Sequence, residues 1–483
     1  MGGQMLFFSK NPRLASIPLL LPFYLLLYTL KSRKLFIPLA IRKIVFFIGT
    51  FFLILFSFLT CEKNISPVEN KTPQISLRID EVAVTETWLN LQTENLLDKD
   101  ILQIFRNDSA IYTRKPGPAD TTIYDSGLLP AHDYIYHALL TRNNQVILKS
   151  NPQSITTMDT TSHEFIWTID TIGIYGSVLY DIAMVDENDI WAVGEIHTPE
   201  TDKYDSLGNW VPPFNAVHWN GYDWDLVRSE AEGYGFGANY AVLVFKFDDV
   251  WLGSTIPEHW DGQQWKFYSS INGYPGEFNI RKIWGNSSHD LYFVGNSGNI
   301  VYHNGAFGYW SQIESDTDMP IQDIWGATDP GSGKDMILAV ASPKYNWQKP
   351  LLLNLSKYPI KPEFLTVYNL LHSVWFETPR KIFLCGDGVH YRVNETWNRV
   401  DELPAIFYNR IRGSGLNNIW VVGDFGIVLH YNGVTWKEIP QLWLSTGNYE
   451  GLAVKGDLVV AVGQKTSGGI GGSAAVLMGR RIR

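Results

Sequence analysis

One stretch near the C-terminus of the chain sets most of the limits on how it can fold. Residues 418–439 read N-I-W-V-V-G-D-F-G-I-V-L-H-Y-N-G-V-T-W-K-E-I, which is three apolar runs separated by two turns that contain glycine. Asn-Gly pairs favour positive φ at both turn positions and therefore close two-residue hairpins. The stretch predicts three adjacent antiparallel β-strands.

Weaker copies of this unit recur from about residue 178 to the end of the chain. The second strand of each copy is marked by one apolar residue, in turn Trp191, Trp251, Tyr292, Ile337, Phe383, Trp420 and Val459. A fourth strand carries a Trp in five copies, namely Trp224, Trp265, Trp310, Trp397 and Trp436. A period of roughly 40–45 residues built from strands is typical of a β-propeller. We predict seven blades of four strands over residues 164–483.

The seventh copy has no Trp strand after it, whereas Phe165-Ile166-Trp167-Thr168-Ile169 precedes the first copy without an inner strand of its own. This segment is similar to Thr435-Trp436-Lys437-Glu438-Ile439 of the sixth copy. We predict that residues 164–170 form the outer strand of blade seven. That pairing would join the two ends of the propeller and remove a free sheet edge.

The repeat resembles the propeller repeats of bacterial surface lipoproteins, with the pattern [DN]-[IL]-W-x-V-G-x-x-G-x-[IL]-x-H-[YW]-[ND]-G-x-x-W. It is also similar to the propeller repeat of two-component regulators. It differs from the sialidase Asp-box, S-x-D-x-G-x-x-W, because the Ser and the first Asp are missing before the turn Gly. Five histidines are predicted to occupy one repeat position, which indicates a structural role: His218, His259, His303, His390 and His430.

A different β pattern precedes the repeats. Short alternating runs separated by polar turns over residues 73–158 predict an antiparallel sandwich. Within it, Leu128-Leu129-Pro130-Ala131-His132-Asp133-Tyr134-Ile135-Tyr136 resembles the fibronectin type III signature L-x-P-x-x-x-Y-x-[YV]. The resemblance implies a spacer or adhesion module in which the Tyr134 hydroxyl bonds back to upstream main chain, as in a tyrosine corner.

The first 60 residues contain seven basic and no acidic side chains around two apolar blocks, about 17–30 and 44–59. A positive segment, an apolar segment and a polar boundary form the pattern of an export signal. Phe58-Leu59-Thr60-Cys61 resembles the lipobox of bacterial lipoproteins, which implies that Cys61 is lipidated. The leader is longer than a usual signal peptide, so either translation starts near residues 35–41 or the first block is a membrane segment. A plain anchor helix without lipidation is the other alternative. Residues 61–72 are predicted to be a flexible tether.

Charge and cysteine content limit the partners. The net charge is −10, and every acidic residue follows the leader. The body therefore lacks the basic footprint of a nucleic-acid-binding protein.

The chain has two cysteines, so packing must stabilise the fold instead of a disulfide framework. Cys385 lies in an apolar run and is predicted to be buried and inert.

The sequence contains no catalytic or metal-binding motif of the common kinds, so we expect no metal and no cofactor. In a propeller, the loops between strands two and three and the loops between blades share one face. We predict that this loop face collects aromatic and acidic residues that suit a glycan or an extended peptide. They are Trp210, Tyr234, Phe236, Tyr274, Asp387, Asp424 and Trp443. The alternative is that the aromatic side chains fold back and cap their own loops.

The sequence therefore predicts an all-β protein with a seven-bladed β-propeller, a fibronectin type III-like sandwich before it and an N-terminal membrane or signal segment. We expect a binding or scaffold protein that is exported, anchored to a membrane through a lipid or helix, and located at the bacterial outer membrane or cell surface. The alternative is a glycan-active hydrolase or lyase, for which Asp387 and Asp424 form the one adjacent-blade Asp pair at matching positions. The oligomeric state and the ligand do not follow from the sequence.

Overall fold

The computed structural model describes residues 72–230, 237–268, 278–305, 310–343, 348–357, 359–365, 370–444, 446–466 and 472–482. The chain divides into two compact units, Met1–Thr72 and Pro73–Arg483. The leader over residues 1–60, most of the tether and Cys61 lie outside the described residues. The second unit is built from β-strands, apart from two short helical turns.

The N-terminal part of this unit is a sandwich of two antiparallel sheets. Its strands are β1 (Gln74–Val82), β2 (Glu86–Glu94), β3 (Asp100–Arg106), β4 (Ser109–Arg114), β5 (Asp120–Ser126), β6 (Asp133–Arg142), β7 (Gln145–Lys149) and β8 (Gln153–Thr156). One sheet has the order β1-β2-β5, and the other has the order β4-β3-β6-β7 with β8 paired to β6. Alternate side chains such as Leu89 and Leu140 point between the sheets and are fully buried in a common core.

The corner before β6 has the predicted hydrogen bond. The Tyr134 hydroxyl accepts a hydrogen bond from the Leu129 main-chain N–H at 2.9 Å. The Tyr134 side chain is buried in the sandwich core. This contact fixes the start of β6 against the upstream chain, so the prediction for Tyr134 is confirmed.

The rest of the unit consists of further strands. In chain order they are β9 (Phe165–Ile172), β10 (Val178–Asp186), β11 (Asp189–Ile196), β12 (Lys203–Tyr204), β13 (Trp210–Val211), β14 (Phe214–Trp219), β15 (Trp224–Val227), β16 (Ala241–Lys246), β17 (Asp249–Gly253), β18 (Pro257–Trp260), β19 (Trp265–Phe267), β20 (Ile280–Ser287), β21 (Asp290–Gly295), β22 (Ile300–His303), β23 (Trp310–Ile313), β24 (Ile321–Thr328), β25 (Asp335–Ala341), β26 (Leu351–Asn354), β27 (Glu363–Phe364), β28 (Leu371–Trp375), β29 (Lys381–Gly386), β30 (Gly388–Val393), β31 (Thr396–Arg399), β32 (Tyr408–Gly415), β33 (Asn418–Gly423), β34 (Val428–Tyr431), β35 (Trp436–Glu438), β36 (Gly447–Lys455), β37 (Leu458–Thr466) and β38 (Gly472–Arg481). Two short 3-10 helices, Asn296–Gly298 and Pro440–Leu442, interrupt them.

Apart from the hairpin β12-β13, these strands form four-stranded antiparallel sheets, which we number 1 to 7. They are β10-β11-β14-β15, β16-β17-β18-β19, β20-β21-β22-β23, β24-β25-β26-β27, β28-β29-β30-β31, β32-β33-β34-β35 and β36-β37-β38-β9. The first strands contact one another in cyclic order from β10 to β36, and β36 contacts β10. Four-stranded sheets arranged around a closed ring of first strands are consistent with a β-propeller.

The predicted closure is confirmed. Strand β9 pairs with β38 in an antiparallel register that runs from Phe165 opposite Arg481 to Ile172 opposite Ala474. Sheet 7 is thus completed by a strand that precedes sheet 1 in the chain. Pairing the two ends leaves β38 without a free edge.

A hydrogen bond between an Asp or Asn and a His recurs in sheets 1, 2 and 6. It explains why the repeat has [DN] before strand two and His in strand three. In sheet 6, Asn418 Oδ1 accepts hydrogen bonds from Trp420 Nε1 at 2.9 Å and from His430 Nε2 at 3.0 Å. The two rings stack at 4.2 Å across the strand pair. Asp189 and Asp249 contact His218 and His259 in the same way. These histidines are structural, as predicted.

The prediction that five histidines share one position is wrong for two of them. His303 pairs with Leu291 and His390 pairs with Leu384, so each lies one residue away from the position opposite the aromatic residue of strand two. Tyr302 and Tyr391 fill that position in sheets 3 and 5. The shift is hidden in the sequence because the His-Asn-Gly of sheet 3 and the His-Tyr of sheet 5 both resemble the His-Tyr-Asn-Gly of sheet 6.

The sandwich packs against sheets 5 and 6. Trp88 of β2 shares a buried cluster with Phe383 and Ile419. Lys381 Nζ donates to Glu86, and Arg380 Nη2 donates to Asp80 Oδ2 at 3.0 Å. An apolar contact with ion pairs beside it therefore fixes the sandwich against these two sheets near their hairpins, because Arg380 lies between β28 and β29 and Lys381 begins β29.

Glu81 gives this interface a dependence on pH. Burial raises the pKa of Glu81 to about 7, although the Thr378 hydrogen bond and Arg380 oppose the rise. The Thr378 hydroxyl donates to Glu81 Oε2 across the interface. Since the folded pKa exceeds the ordinary value of 4.5, the folded state holds a proton that the unfolded chain releases between these two values. The contribution to stability is complete below pH 4.5 and is lost as the pH rises through 7.

We expect removal of the closing strand to abolish the fold. Deleting residues 160–171 would expose the edge of β38 and remove the buried side chain of Phe165. The variant should aggregate or show no cooperative melting transition in calorimetry. Deleting the exposed hairpin residues 203–211 is the control and should leave a cooperative transition. A deletion of 160–171 that melts like the full chain would refute the closure.

We expect Glu81→Gln to remove part of the pH dependence of stability. Gln stays neutral at every pH, so wild type should lose about 1–3 kcal/mol relative to the variant between pH 5 and pH 8. Chemical denaturation of both proteins at several pH values measures this difference. Glu94→Gln, at the exposed end of β2, is the matched control. A difference that stays constant with pH would contradict the role of Glu81.

Candidate functional site

Six of the seven first strands carry an extra residue at an equivalent point near their start. The pairing with the second strand skips one residue there, and the skipped residues are Tyr180, Arg281, Gln322, His372, Asn409 and Glu450. In sheet 2 the register is regular at this point, and Tyr240 directly precedes the strand. A bulge re-aims the side chain of the extra residue. We call these seven residues the axial ring, since the first strands enclose the central channel.

The glycine that ends the second strand makes room for this bulge. A Cβ on Gly423 would lie 2.3 Å from the carbonyl oxygen of Phe407, and one on Gly463 would lie 2.0 Å from that of Asn448. Each oxygen belongs to the residue just before the position where the first strand of the same sheet pairs with the glycine. Gly194, Gly295 and Gly386 have an equally close main-chain oxygen, so the glycine makes room for the main chain in five of the six bulged sheets. Sheet 4 is the exception, because Ala341 occupies this position beside its bulge.

One half of the axial ring joins two tyrosines to an arginine and an amide. The rings of Tyr180 and Tyr240 lie 4.9 Å apart, and burial raises the pKa of Tyr180 to about 12. Arg281 donates from Nη1 to Gln322 Oε1 at 3.1 Å and from Nε to Asn296 Oδ1 at 2.7 Å. Partial burial removes water from the guanidinium and lowers the pKa of Arg281, although the residue as a whole is exposed to solvent.

The other half contains a histidine, an asparagine and a carboxylate. His372 Nδ1 donates to the Asn409 carbonyl oxygen at 2.8 Å. Asn409 Nδ2 donates to the Tyr449 carbonyl oxygen at 2.9 Å and to Asp424 Oδ1 at 3.2 Å. Glu450 lies on β36, which contacts β10 of sheet 1, where Tyr180 lies. The mouth thus presents donors, acceptors and both signs of charge.

An ion-pair network fills the channel directly behind the axial ring. Lys282 Nζ lies 2.6 Å from both carboxylate oxygens of Asp181. Arg412 forms two hydrogen bonds to Asp323, at 2.8 and 2.9 Å, and Arg410 Nη1 lies 3.0 Å from Asp323 Oδ1. All five side chains belong to buried residues.

The network is held in its charged form by its own partners. Burial would raise the pKa of Asp323, but Arg412 and Arg410 outweigh it and hold the pKa well below its usual range. Burial lowers the pKa of Lys282 to about 8 against the opposing effect of Asp181. Removing any one carboxylate would therefore leave a buried cation without compensation.

The predicted aromatic residues on the loops are partly exposed. Trp210 is 48% exposed and packs edge-on against Tyr204 of its own hairpin, with ring centres 5.3 Å apart. Trp443 is 41% exposed, while Leu442 and Leu444 on either side are buried. Both indole rings are available at the loop face, and Trp210 also partly caps its own hairpin. Their role in binding stays a prediction.

The two predicted aspartates occupy equivalent places in sheets 5 and 6. Asp387 forms an isolated bridge to Phe407, and Asp424 forms one to Asn448, so each follows strand two and touches the chain entering the next sheet. Asp424 reaches the axial ring through Asn409, whereas Asp387 is exposed. The remaining predicted site residues, Tyr234, Phe236, Tyr274 and Cys61, lie outside the described residues.

The axial ring was missed from the sequence. Its signal is a polar residue inside the short apolar run that precedes each second strand, as in Leu179-Tyr180-Asp181-Ile182 or Ile321-Gln322-Asp323-Ile324. The ring residues vary from copy to copy, so the repeat pattern does not indicate them.

The described residues offer little for metal or thiol chemistry. No group of three His, Cys, Asp or Glu side chains in these residues is placed to hold a metal ion. Cys385 is fully buried, and burial raises the pKa of its thiol, so the prediction of an inert cysteine is confirmed. Within the described ranges, no helix is long and apolar enough to cross a membrane.

Comparison with known proteins gives a distant structural likeness. No family model matches the chain, and no curated protein sequence matches it. Among solved structures, one described as YCF48 bound to D1 peptide is similar, with a TM-score of 0.48, 16% identity, and coverage of 67% of this chain and 97% of that one. YCF48 from Cyanidioschyzon merolae is similar with a TM-score of 0.46, 15% identity, and coverage of 65% and 98%.

We expect Asp323→Ala to destabilise the protein strongly. The change leaves Arg410 and Arg412 buried without a carboxylate, which costs about 3–5 kcal/mol of unfolding free energy. Chemical denaturation measures the loss. Asp335→Ala, at an exposed strand end, should change stability by less than about 1 kcal/mol. Equal losses for the two variants would show that the axial ion pairs do not support the fold.

Proposed function

We propose that this protein is a binding protein that recognises an extended segment of a partner protein at the mouth of its central channel. The observation that carries the proposal is the axial ring, which places the at least partly exposed side chains of Tyr180, Tyr240, Arg281 and Glu450 near the start of the first strands. Gln322, His372 and Asn409 are buried, and Gln322 accepts a hydrogen bond from Arg281. Convergent polar groups in a concavity are typical of ligand sites. The ring combines Arg281 with Glu450 and neutral donors and acceptors, which matches the mixed polarity of a peptide.

A glycan is the second ligand class. The exposed Tyr204–Trp210 pair and Trp443 provide aromatic faces of the kind that stack on sugar rings. These residues lie on the loops, whereas the charged groups lie in the ring. A peptide uses both charges and main-chain hydrogen bonds, so the ring favours a peptide over a neutral sugar.

We further propose that the seven sheets are the blades of one seven-bladed propeller and that residues 73–158 form a fibronectin type III-like domain. The closed ring of first strands supports the first statement. The tyrosine corner and the two-sheet order of the sandwich support the second. The repeat resemblance then supports a surface lipoprotein with a sandwich beside its propeller, with domain limits at 61–72, 73–158 and 164–483.

We propose that the leader exports the protein and that Cys61 or an apolar helix tethers it to a membrane, at the bacterial outer membrane or cell surface. The support is the pattern of basic and apolar segments before Cys61. Mass spectrometry of the mature N-terminus tests this proposal. A diacylated Cys61 at the N-terminus is the expected result, and an intact, unmodified leader would refute lipidation.

A glycan-active hydrolase or lyase is the second candidate function. Two carboxylates must face the scissile bond in such an enzyme, and Asp387 and Asp424 sit at matching places in adjacent sheets. Asp424 is engaged by Asn409, which suits a positioning role in a binding site. Turnover of a glycan that is abolished by Asp424→Asn would favour this second function.

The binding function is tested with the full chain in detergent micelles on peptide and glycan arrays. We expect peptide binding without turnover, and we expect Arg281→Ala with Glu450→Ala to weaken it roughly tenfold or more, since charge-assisted hydrogen bonds are lost. Trp210→Ala with Trp443→Ala separates the loops from the ring, because it should reduce glycan binding more than peptide binding.

The control variant is Tyr222→Ala, which changes a side chain that is 86% exposed on a hairpin at the other end of sheet 1. It should leave array binding unchanged. Peptide binding that survives loss of the ring charges, or that falls equally in the Tyr222 variant, would refute the assignment of the ring as the site.

A further inference from the structure

The central channel contains a cavity on the far side of the ion-pair network from the axial ring. Its volume is about 190 Å³, and it lies among the later parts of the first strands, towards the hairpins that join strands one and two. Aliphatic and aromatic side chains form most of its wall, including Met184, Leu243, Trp284, Trp325 and Leu452. An apolar cavity of roughly 150 Å³ is large enough for a benzene ring, so this one admits a small apolar body.

The charged residues of the wall are all basic. Lys282, Arg412 and Lys455 line the cavity, and no acidic residue of the described chain does. Arg412 lies over the Trp325 ring at 4.8 Å, so a guanidinium and an aromatic face meet at the inner end. Lys455 is the last residue of β36 and lies at the hairpin end of the cavity, whereas Lys282 and Arg412 lie at the inner end. The apolar wall therefore runs between two positively charged ends.

The network behind the cavity carries a surplus of positive charge. Three cations, Lys282, Arg410 and Arg412, face two carboxylates, Asp181 and Asp323. Arg410 Nη1 lies near Asp323 but makes no aligned hydrogen bond to it. Both oxygens of Asp323 are already occupied by Arg412, and one also accepts from Ser373 and the Val374 N–H.

Glu450 is the acidic group of the axial ring that offsets part of this surplus, since its charge helps to raise the pKa of Arg410, though less than the charges of Asp323 and Asp181 do. Glu450 offers Arg410 its main-chain carbonyl oxygen at 3.3 Å. Its carboxylate accepts a hydrogen bond from Asn448 at the loop-face end of sheet 7. A buried charge without a full partner is unfavourable, so a monoanion in the cavity would improve the electrostatics of the whole network.

We propose that this cavity binds a small amphipathic monoanion, a monocarboxylate with an apolar or aromatic body, whose carboxylate faces Lys282 and Arg412. The body occupies the space among the tryptophan and aliphatic side chains. This site is separate from the axial ring, because the ion-pair network lies between them. The proposal therefore does not depend on which partner binds at the loop face.

Benzoate is the probe, and benzyl alcohol is its neutral counterpart. The full chain in detergent is titrated with each in a low-chloride buffer, with calorimetry and Trp fluorescence as readouts because Trp284 and Trp325 line the cavity. We expect benzoate to bind roughly tenfold or more tightly than benzyl alcohol, since only benzoate offers a charged acceptor.

Two variants locate the site. Arg410→Met removes the surplus charge without changing the cavity wall, so it should abolish the preference for benzoate while benzyl alcohol still binds. Arg480→Met, at a residue of β38 whose side chain is 47% exposed, is the matched control and should keep the preference. Ala453→Leu fills the cavity and should abolish the binding of both compounds.

The proposal is overturned if benzoate fails to bind at millimolar concentration, or if benzoate and benzyl alcohol bind equally. It is also overturned if Ala453→Leu binds benzoate like wild type, because the ligand then lies elsewhere. Should Arg410→Met fail to fold, as a lost melting transition would show, the comparison of the two compounds in wild type and in Ala453→Leu still decides the question.

Discussion

The pairing of β9 with β38 is the contact on which the rest of the structure depends. It joins residues that are about 300 positions apart in sequence, and it is formed through eight residue pairs. Phe165 also lies edge-on to Trp420 of sheet 6 at 4.7 Å, so the closing strand contacts two sheets. Until this strand is in place, sheet 7 lacks its outer strand and the two ends of the ring are not joined.

The same segment fixes the sandwich. Residues 157–164 connect β8 to β9 and contact sheet 6. Asn417 Nδ2 donates to the Asp159 carbonyl oxygen at 2.9 Å, and the Thr161 N–H donates to Asn432 at 3.3 Å. His163 and His430 share a hydrogen bond of 2.8 Å. Closure and docking of the sandwich are therefore coupled, because a shift of the linker would disturb both.

The framework could be predicted from the sequence, whereas the candidate site could not. Asn418, Trp420 and His430 are close in sequence, so the repeat pattern shows their spacing. Phe165–Ile169 is similar in sequence to the outer strand of sheet 6 and serves as the outer strand of sheet 7. The ion pairs join Asp323 to Arg412 and Asp181 to Lys282 across 89 and 101 positions. No local pattern indicates such partners, because each cation sits in a different copy from its carboxylate. His303 and His390 show the same limit. They agree with the repeat in residue type, but each is shifted by one position in the strand register.

The repeated residues and the candidate functional residues thus occupy different positions on the same strands. A glycine such as Gly423 recurs because main chain passes 2.3 Å from where its Cβ would be. The bulge that requires this glycine turns the neighbouring residue, Asn409, towards the axis. The backbone is therefore uniform where the side chains diverge from Tyr to Arg, Gln, His, Asn and Glu. Three of these side chains also connect main chain, since Gln322 donates to the Ser342 carbonyl oxygen, His372 to that of Asn409 and Asn409 to that of Tyr449. A substitution at one of those bulges therefore changes the packing of the sheets as well as the ring, whereas Tyr180, Tyr240, Arg281 and Glu450 are at least partly exposed.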